Sequence, residues 1–202
     1  MRRTLIVACA LLAAGCGNAK DEGISGGGKV IGRTVTVYSL TADPGAKNRS
    51  FVDGEKLALS DAGGKAGDFA INFTSLDLGT DEDAQAESTK RAISDPQVIA
   101  AIADATRVTV PLLNAAGILQ VAPSGDPSLI SNPNELPSGK PTVGQLEGDV
   151  PGDFATRYEA EFKRAPDLSA ENGYRAMQAV IAAIKTAGAA GNDRTRVIDS
   201  YL

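Results

Sequence analysis

The sequence predicts an α/β fold, a parallel Rossmann-like sheet with helices on both faces. Three observations carry that prediction. Short apolar or β-branched runs at residues 35–40, 69–76, 98–102 and 118–121 have strand length and are bounded by turn residues. Segments of helical period lie between them. Strands alternating with helices run parallel, because each helix supplies the crossover, and both faces of such a sheet are covered.

The first strand reads VTVYSL at 35–40 and ends at the turn TADPG. A helix over 48–61 then sets Phe51, Val52, Leu57, Ala58 and Leu59 on one stripe, and Gly63-Gly64 closes it. FAINFTSL at 69–76 is the second strand, ending at Asp77. A polar helix over 81–94 stops at Asp95-Pro96, and residues 98–102 form a third, short apolar strand. A helix over 105–116 carries Val108, Leu112 and Leu113 on one face and stops at Gly117. Pro111 inside it demands a kink or a late start. Residues 118–121 are the fourth strand. The stretch 122–144 contains Pro123, Pro127, Pro133, Pro137 and Pro141, too many for a helix or a central strand. After Pro151 the pattern is helical. Phe154, Tyr158 and Phe162 share one face, and Tyr174, Met177, Val180, Ile181 and Ile184 share another, ending at Gly188. A last helix starts near Asn192-Asp193 and carries Val197, Ile198, Tyr201 and Leu202. Ligands of parallel sheets bind at the carboxyl ends of the strands, so the loops at 41–47, 77–81, 103–105 and 122–127 are the candidates.

Composition narrows the chemistry. The 202 residues are 43% hydrophobic and 22% charged, which suits a folded core. With no His, there is no Ser-His-Asp or Cys-His nucleophile and no imidazole metal ligand. Ser39 and Ser124 also lack a G-x-S-x-G elbow, so an enzyme is not expected. A net charge of -5 argues against nucleic acid as a partner, and 4% aromatics leave few stacking platforms. The stretch from Gly23 to Lys29 nearly spells a phosphate-binding loop, but Val30 stands where Ser/Thr would hold magnesium and no strand precedes it. Asp77, Asp81, Glu82 and Asp83 fit the start of a helix, where they complement its dipole, better than a metal site. No cofactor is implied.

The N-terminus has the layout of an export signal. Arg2 and Arg3 precede an apolar stretch over 4–14, too short to span a bilayer comfortably. The stretch ends in Leu12-Ala13-Ala14-Gly15-Cys16. This resembles a bacterial lipobox, with the Leu one position further upstream than usual. The resemblance implies cleavage before Cys16 and lipid attachment to it. Cys9 would leave with the signal, so the mature chain would hold a single Cys and no intramolecular disulfide. Residues 16–32 are rich in Gly, Ser and Asn and read as a flexible tether. The expected organisation is a signal at 1–15, a lipid-anchored tether at 16–32, an α/β unit at 33–146 and C-terminal helices at 147–202.

Several segments, in order, are similar to the type 1 periplasmic-binding proteins, in particular the branched-chain amino-acid (leucine-binding) receptors of ABC transporters. They are VTVYSL at 35–40, DGEKLALSDAGGK at 53–65, INFTSLD at 71–77, SDPQVIAAI at 94–102 and VPLLNAAGILQVAPSG at 110–125. FATRYEAEFKRAPD at 154–167 and ENGYRAMQAVIAAIKTAG at 171–188 continue the likeness. The resemblance implies an extracytoplasmic solute-binding lipoprotein whose partners are an amino acid or similar small solute, an ABC-transporter permease and, through the anchor, the membrane. It also implies two lobes closing on the ligand. Here PTVGQL at 141–146 looks like the crossing toward lobe 2, and at Gly148-Asp149-Val150-Pro151 the sequence passes to the C-terminal helices that pack on lobe 1. Most of lobe 2 is therefore expected to be missing, and ligand binding to be weak or lost. The alternative is a binding-incompetent remnant or a protein-interaction lipoprotein. In the family, the loop after the third strand carries a Gly and a Ser that meet the ligand, and here it is Ala103-Asp104-Ala105-Thr106. The loop after the fourth strand carries a Ser/Ala-Thr pair, and here it is Ser124-Gly125, with Ala122 in place of a common Ser. The ligand-binding candidates are Ser39, Thr106, Ser124 and Gly125. For Ser39 and Thr106, satisfaction of local backbone groups is the stronger expectation.

Overall fold

The computed structural model describes residues 28–41, 46–124, 127–129, 142–143 and 149–201. Cys16, the signal, most of the tether and Gly125 lie outside them. The described residues contain one six-stranded sheet. Its strands are β1 (Thr34–Thr41), β2 (Lys65–Ala66), β3 (Phe69–Asp77), β4 (Val98–Ala103), β5 (Leu119–Val121) and β6 (Thr142–Val143), in the spatial order β2-β3-β1-β4-β5-β6. All pairs are parallel except the short β2–β3 hairpin.

The helices are α1 (Ala46–Asp61), α2 (Glu82–Ile93), α3 (Thr109–Ala115), α4 (Phe154–Phe162), α5 (Leu168–Thr186) and α6 (Arg194–Tyr201). On one face of the sheet Val35, Val37, Ile71, Ile102 and Val121 meet α1, α4, α5 and α6 through Phe51, Phe154, Tyr158, Tyr174, Met177, Ile184 and Val197. On the other face Leu40, Ala101 and Ala103 meet α2 and α3 through Ala92 and Leu113. The alternation of in-facing residues along β1 feeds both cores, so a central strand reads as continuous apolar sequence.

Four strands and six helical segments were legible in the pattern, and the structure departs from it in three places. First, β2 and β6 have two residues each, too short to show a period. Thr142 and Val143, inside the span 33–146 read as the α/β unit, pair with Gln120 and Val121 as the sheet edge. Second, the third helix starts late, at Thr109 rather than 105, so Pro111 sits in the first turn, where its missing N–H leaves no gap in the ladder. Thr109, Val110 and Leu113 are the buried residues of that helix, in place of the expected Val108–Leu112–Leu113 face. Third, the tether does not extend to Gly32. Lys29 bridges to Asp193, and Val30 is 2% exposed. The Val30 amide donates to the Asn192 carbonyl at 2.7 Å, while Asn192 Nδ2 donates to the Val30 carbonyl at 2.7 Å. A single valine among glycines does not shift a composition window, but burying it moves the start of the packed body ahead of β1.

The contact that shapes the helical face is between α1 and α5. A Cβ on Gly54 would stand 2.0 Å from the Ala170 carbonyl oxygen, and one on Gly173 would stand 2.0 Å from that of Phe51. The two backbones touch with no side chain between them. Beside this seam, Tyr174 donates to Asp61 Oδ2 at 2.6 Å and Arg157 pairs with the same carboxylate. Asp53 pairs with Arg164, whose Nη2 also donates to the Tyr158 hydroxyl at 3.2 Å. These partly exposed pairs add little stability individually. They orient α4 and the start of α5 on α1.

Candidate functional site

The chain runs from β1 through α1 to β3 on one side, then returns to place β4 and β5 on the other. The order reverses between β1 and β4. In open α/β sheets the ligand crevice lies beyond the carboxyl ends of the strands at such a reversal. The residues that frame it here are the end of β1, at Thr41, and the loop from Asp104 to Val108 that follows β4.

That loop is tightly cross-linked. Thr109 Oγ1 donates to the Asp104 carbonyl at 2.7 Å and accepts from the Thr106 amide at 3.0 Å. Thr106 Oγ1 accepts from the Val108 and Thr109 amides at 3.2 and 3.0 Å. The N-cap position of α3 is Val108, and Thr106, two residues before it, supplies an oxygen to amides that the first turn leaves without partners. Beneath the loop lies Gln120, fully buried on β5. Its Nε2 donates to the carbonyls of Ala103 and Asp104 and to Thr109 Oγ1, at 3.1–3.2 Å. The next loop is tied in from the side. The Ala105 amide donates to the Ser124 carbonyl at 2.8 Å, and Ser124 Oγ donates to Asp104 Oδ1.

The expected site residues therefore separate. Thr106 and Ser124 are linked at the crevice through Thr109 and Asp104. Thr106 is engaged locally, and the exposed Ser124 is turned onto a carboxylate. Ser39 does not reach the rim. It is fully buried on β1, and its hydroxyl lies beside the carboxyl of Glu55 in the α1 face of the core. The expectation that Ser39 meets a ligand is corrected by this placement. β1 directs residue 39 to the same side as Val35 and Val37, under α1, two residues short of the strand's free end. Gly125 and Cys16 lie outside the described residues.

Glu55 escaped the sequence reading although a signal was present. It stands four residues after Phe51 and three before Ala58, on the apolar stripe of α1. It is fully buried, and neither carboxylate oxygen nor Ser39 Oγ makes a hydrogen bond of normal geometry. Burial pushes its carboxyl well above the usual range, with the Ser39 hydroxyl and Lys56 offsetting part of the effect. Gln120 had a comparable signal, one amide inside the apolar run ILQV.

Among the described residues no group of acids or cysteines is arranged to hold a metal, and no helix is long and apolar enough to cross a membrane. Asp81 caps α2 by accepting from the Ala84 amide at 2.9 Å, and Asp77 accepts from the Gly79 amide, so the acids after β3 serve the helix start. A groove of about 340 Å³ between α1 and α5, lined by Ala58, Asp61, Tyr174, Gln178 and Lys185, lies toward the end of α1 that leads back to the amino edge of the sheet. It is not part of the crevice.

No protein-family model and no curated protein matches the chain. Solved structures do. A candidate branched-chain amino acid ABC transporter protein from Rhodospirillum rubrum superposes with a TM-score of 0.63 at 15% identity, covering 83% of this chain and 88% of that one. The branched-chain amino acid transporter substrate binding protein from Streptococcus pneumoniae, solved with isoleucine, gives 0.61 at 12% identity, covering 83% and 87%. A periplasmic binding protein type 1 from Bordetella pertussis gives 0.60 at 11% identity, covering 84% and 87%. The chain has the type 1 periplasmic-binding-protein fold. At this level of identity the likeness is one of fold.

Proposed function

We propose that the chain is an extracytoplasmic, lipid-anchored solute-binding protein related to the branched-chain amino-acid receptors of ABC importers, and that it binds its solute weakly. One observation carries the reading. The binding-protein fold places a preorganised, polar loop pair, Asp104–Val108 and Ser124, at the reversal of strand order. The signal-like N-terminus ending at Cys16 supplies the compartment, and a permease is the partner such a receptor serves.

Weak binding follows from a single lobe. A small polar solute needs enclosure and several aligned donors. Each hydrogen bond on an open face contributes only about 1 kcal/mol. A few of them give dissociation constants of roughly millimolar.

Two measurements test this reading. Titration of the purified protein with leucine, isoleucine and valine should give saturable, roughly millimolar binding of at least one. Micromolar affinity would overturn the one-lobe limit. No binding at tens of millimolar would leave the remnant or protein-docking reading in its place. Separately, Cys16→Ser should move the protein from the membrane fraction to the soluble fraction, with loss of the acyl mass. Unchanged membrane retention would refute lipid anchoring at this residue.

A further inference from the structure

We infer that the open edge of β3 is a docking strand for a second copy of this chain, the two β3 strands pairing antiparallel about a two-fold axis at Ser75. The inference is independent of what the crevice binds.

The edge is open because β2 is short. It pairs only with Phe69 and Ala70, and the Gly64 carbonyl accepts from the Ile71 amide at 2.9 Å. From Asn72 onward, among the described residues, β3 has a strand on its β1 side alone. The backbone groups left over can be assigned. The Ala70 and Leu78 amides donate to the carbonyls of Arg33 and Thr41, on the β1 side, both at 2.9 Å. Backbone groups alternate in direction along a strand, so the even-numbered residues of β3 bond toward β1. The N–H and C=O groups of Phe73 and Ser75 therefore point away from it. The run from Phe69 to Leu76 holds no charged residue, Pro or Gly, and charge and Pro are devices that blunt an exposed edge. The outermost strands, β2 and β6, are blunted by their length of two residues each.

A second copy fits this edge. Antiparallel pairing is self-complementary under a two-fold axis, so the same donors and acceptors serve both chains. The register follows from what is already taken. An axis at Thr74 would put Asp77 opposite Ile71, whose amide is bonded to Gly64. An axis at Ser75 pairs Ser75 with its counterpart and puts Phe73 opposite Asp77, all with outward-pointing groups. The charges agree with this direction. The carboxyl end of β3 leads into exposed Asp77, Asp81, Glu82 and Asp83. Exposed Lys65 stands at the amino end, and among the described residues no acid forms an ion pair with it. Arg33 and Asp68 at that end neutralise each other. An antiparallel pair turns each acidic end toward the other copy's Lys65, whereas a parallel pair would set acid beside acid.

The full chain carrying Cys16→Ser, which cannot be acylated there, is followed by sedimentation equilibrium. It should form a reversible dimer with a dissociation constant on the order of tens of micromolar, as suits a small strand-edge contact. Adding Ser75→Pro removes the outward amide and leaves the bonds to β1 in place. The dimer should weaken more than about tenfold, with urea unfolding of the dilute monomer unchanged. Ser75→Lys keeps the amide, adds a charge to the edge and should also shift the equilibrium to monomer, so the result does not depend on how the strand tolerates Pro. Ser75→Cys is then the only cysteine outside residues 1–15 and should form a disulfide-linked dimer on mild oxidation. Residues paired in this way lie about 5.5 Å apart at Cα, within disulfide range. Gly152→Cys, at another exposed position, should not crosslink. A monomer at concentrations up to about 500 µM would overturn the inference. So would a dimer unmoved by both Ser75→Pro and Ser75→Lys, or equal crosslinking at positions 75 and 152.

Discussion

Gly173→Ala is expected to destabilise the protein by about 3 kcal/mol, the upper range for overpacking a core. The sign is informative, because the same change in an open helix position stabilises by about 1 kcal/mol through helix propensity. Here the new Cβ would meet the Phe51 carbonyl oxygen at 2.0 Å. That atom is backbone within α1 and cannot swing away, so α1 and α5 must part along the seam they share. Gly54→Ala makes the reciprocal clash with the Ala170 carbonyl and should behave alike. The two changes relieve one another's geometry once the helices have separated, so the double variant should cost less than the sum of the singles. Gly152→Ala faces open space and is the silent control. Urea unfolding followed by circular dichroism measures all four. A stability for Gly173→Ala equal to or above the parent would show that the two helices do not touch as described.

The second large effect is a pH dependence set by Glu55. Its folded-state pKa is raised, chiefly by burial. The folded state therefore holds the proton more tightly than the unfolded state does. Below the ordinary Glu value, near 4.5, the carboxyl is neutral in both states and stability is unaffected. As pH rises past that value the unfolded chain ionises while the folded one does not, so stability falls until the folded pKa is reached. Glu55→Met removes the titration and fills similar volume with apolar atoms. At pH 8 it should unfold about 1–3 kcal/mol harder than the parent, the range measured for polar groups buried without partners. At pH 4 the difference should shrink. Glu55→Gln separates titration from packing: it keeps a polar group in place but cannot ionise, so it too should flatten the profile. Parallel profiles for the parent and both variants between pH 4 and 8 would mean that Glu55 does not titrate as a buried acid.

Glu55 and Ser39 also show why the fold was more legible than the site. Strand runs such as VTVYSL and the i, i+4, i+8 aromatic series Phe154, Tyr158 and Phe162 declare their faces through period alone, because burial acts on every residue of the face at once. A site is made of single residues, and their roles depend on orientation. Ser39 sits at a strand end in the sequence, yet the pleat of β1 turns it into the core. Thr106 stands on the right loop, yet its hydroxyl is taken by the amides that open α3. Asp104 is one letter in a shortened loop until Ser124, from the next loop, bonds to it. Gly54 and Gly173 read as ordinary helix-weakening residues until α1 and α5 are seen to touch there.

The sequence by itself determined the α/β class, the order of strands and helices, the two apolar faces and the signal-like start that ends at Cys16. It could do so because composition, period and turn chemistry are local, and each segment carries them independently of its neighbours. Only the tertiary structure decided the strand order with its reversal between β1 and β4, the docking of Val30 beside Asn192, the helix seam at two glycines and the burial of Glu55 beside Ser39. It also decided that Thr106, Thr109 and Gln120 cross-link the loop after β4. These depend on which distant segments meet, and the pairing energies that bring them together are properties of contacts rather than of residues.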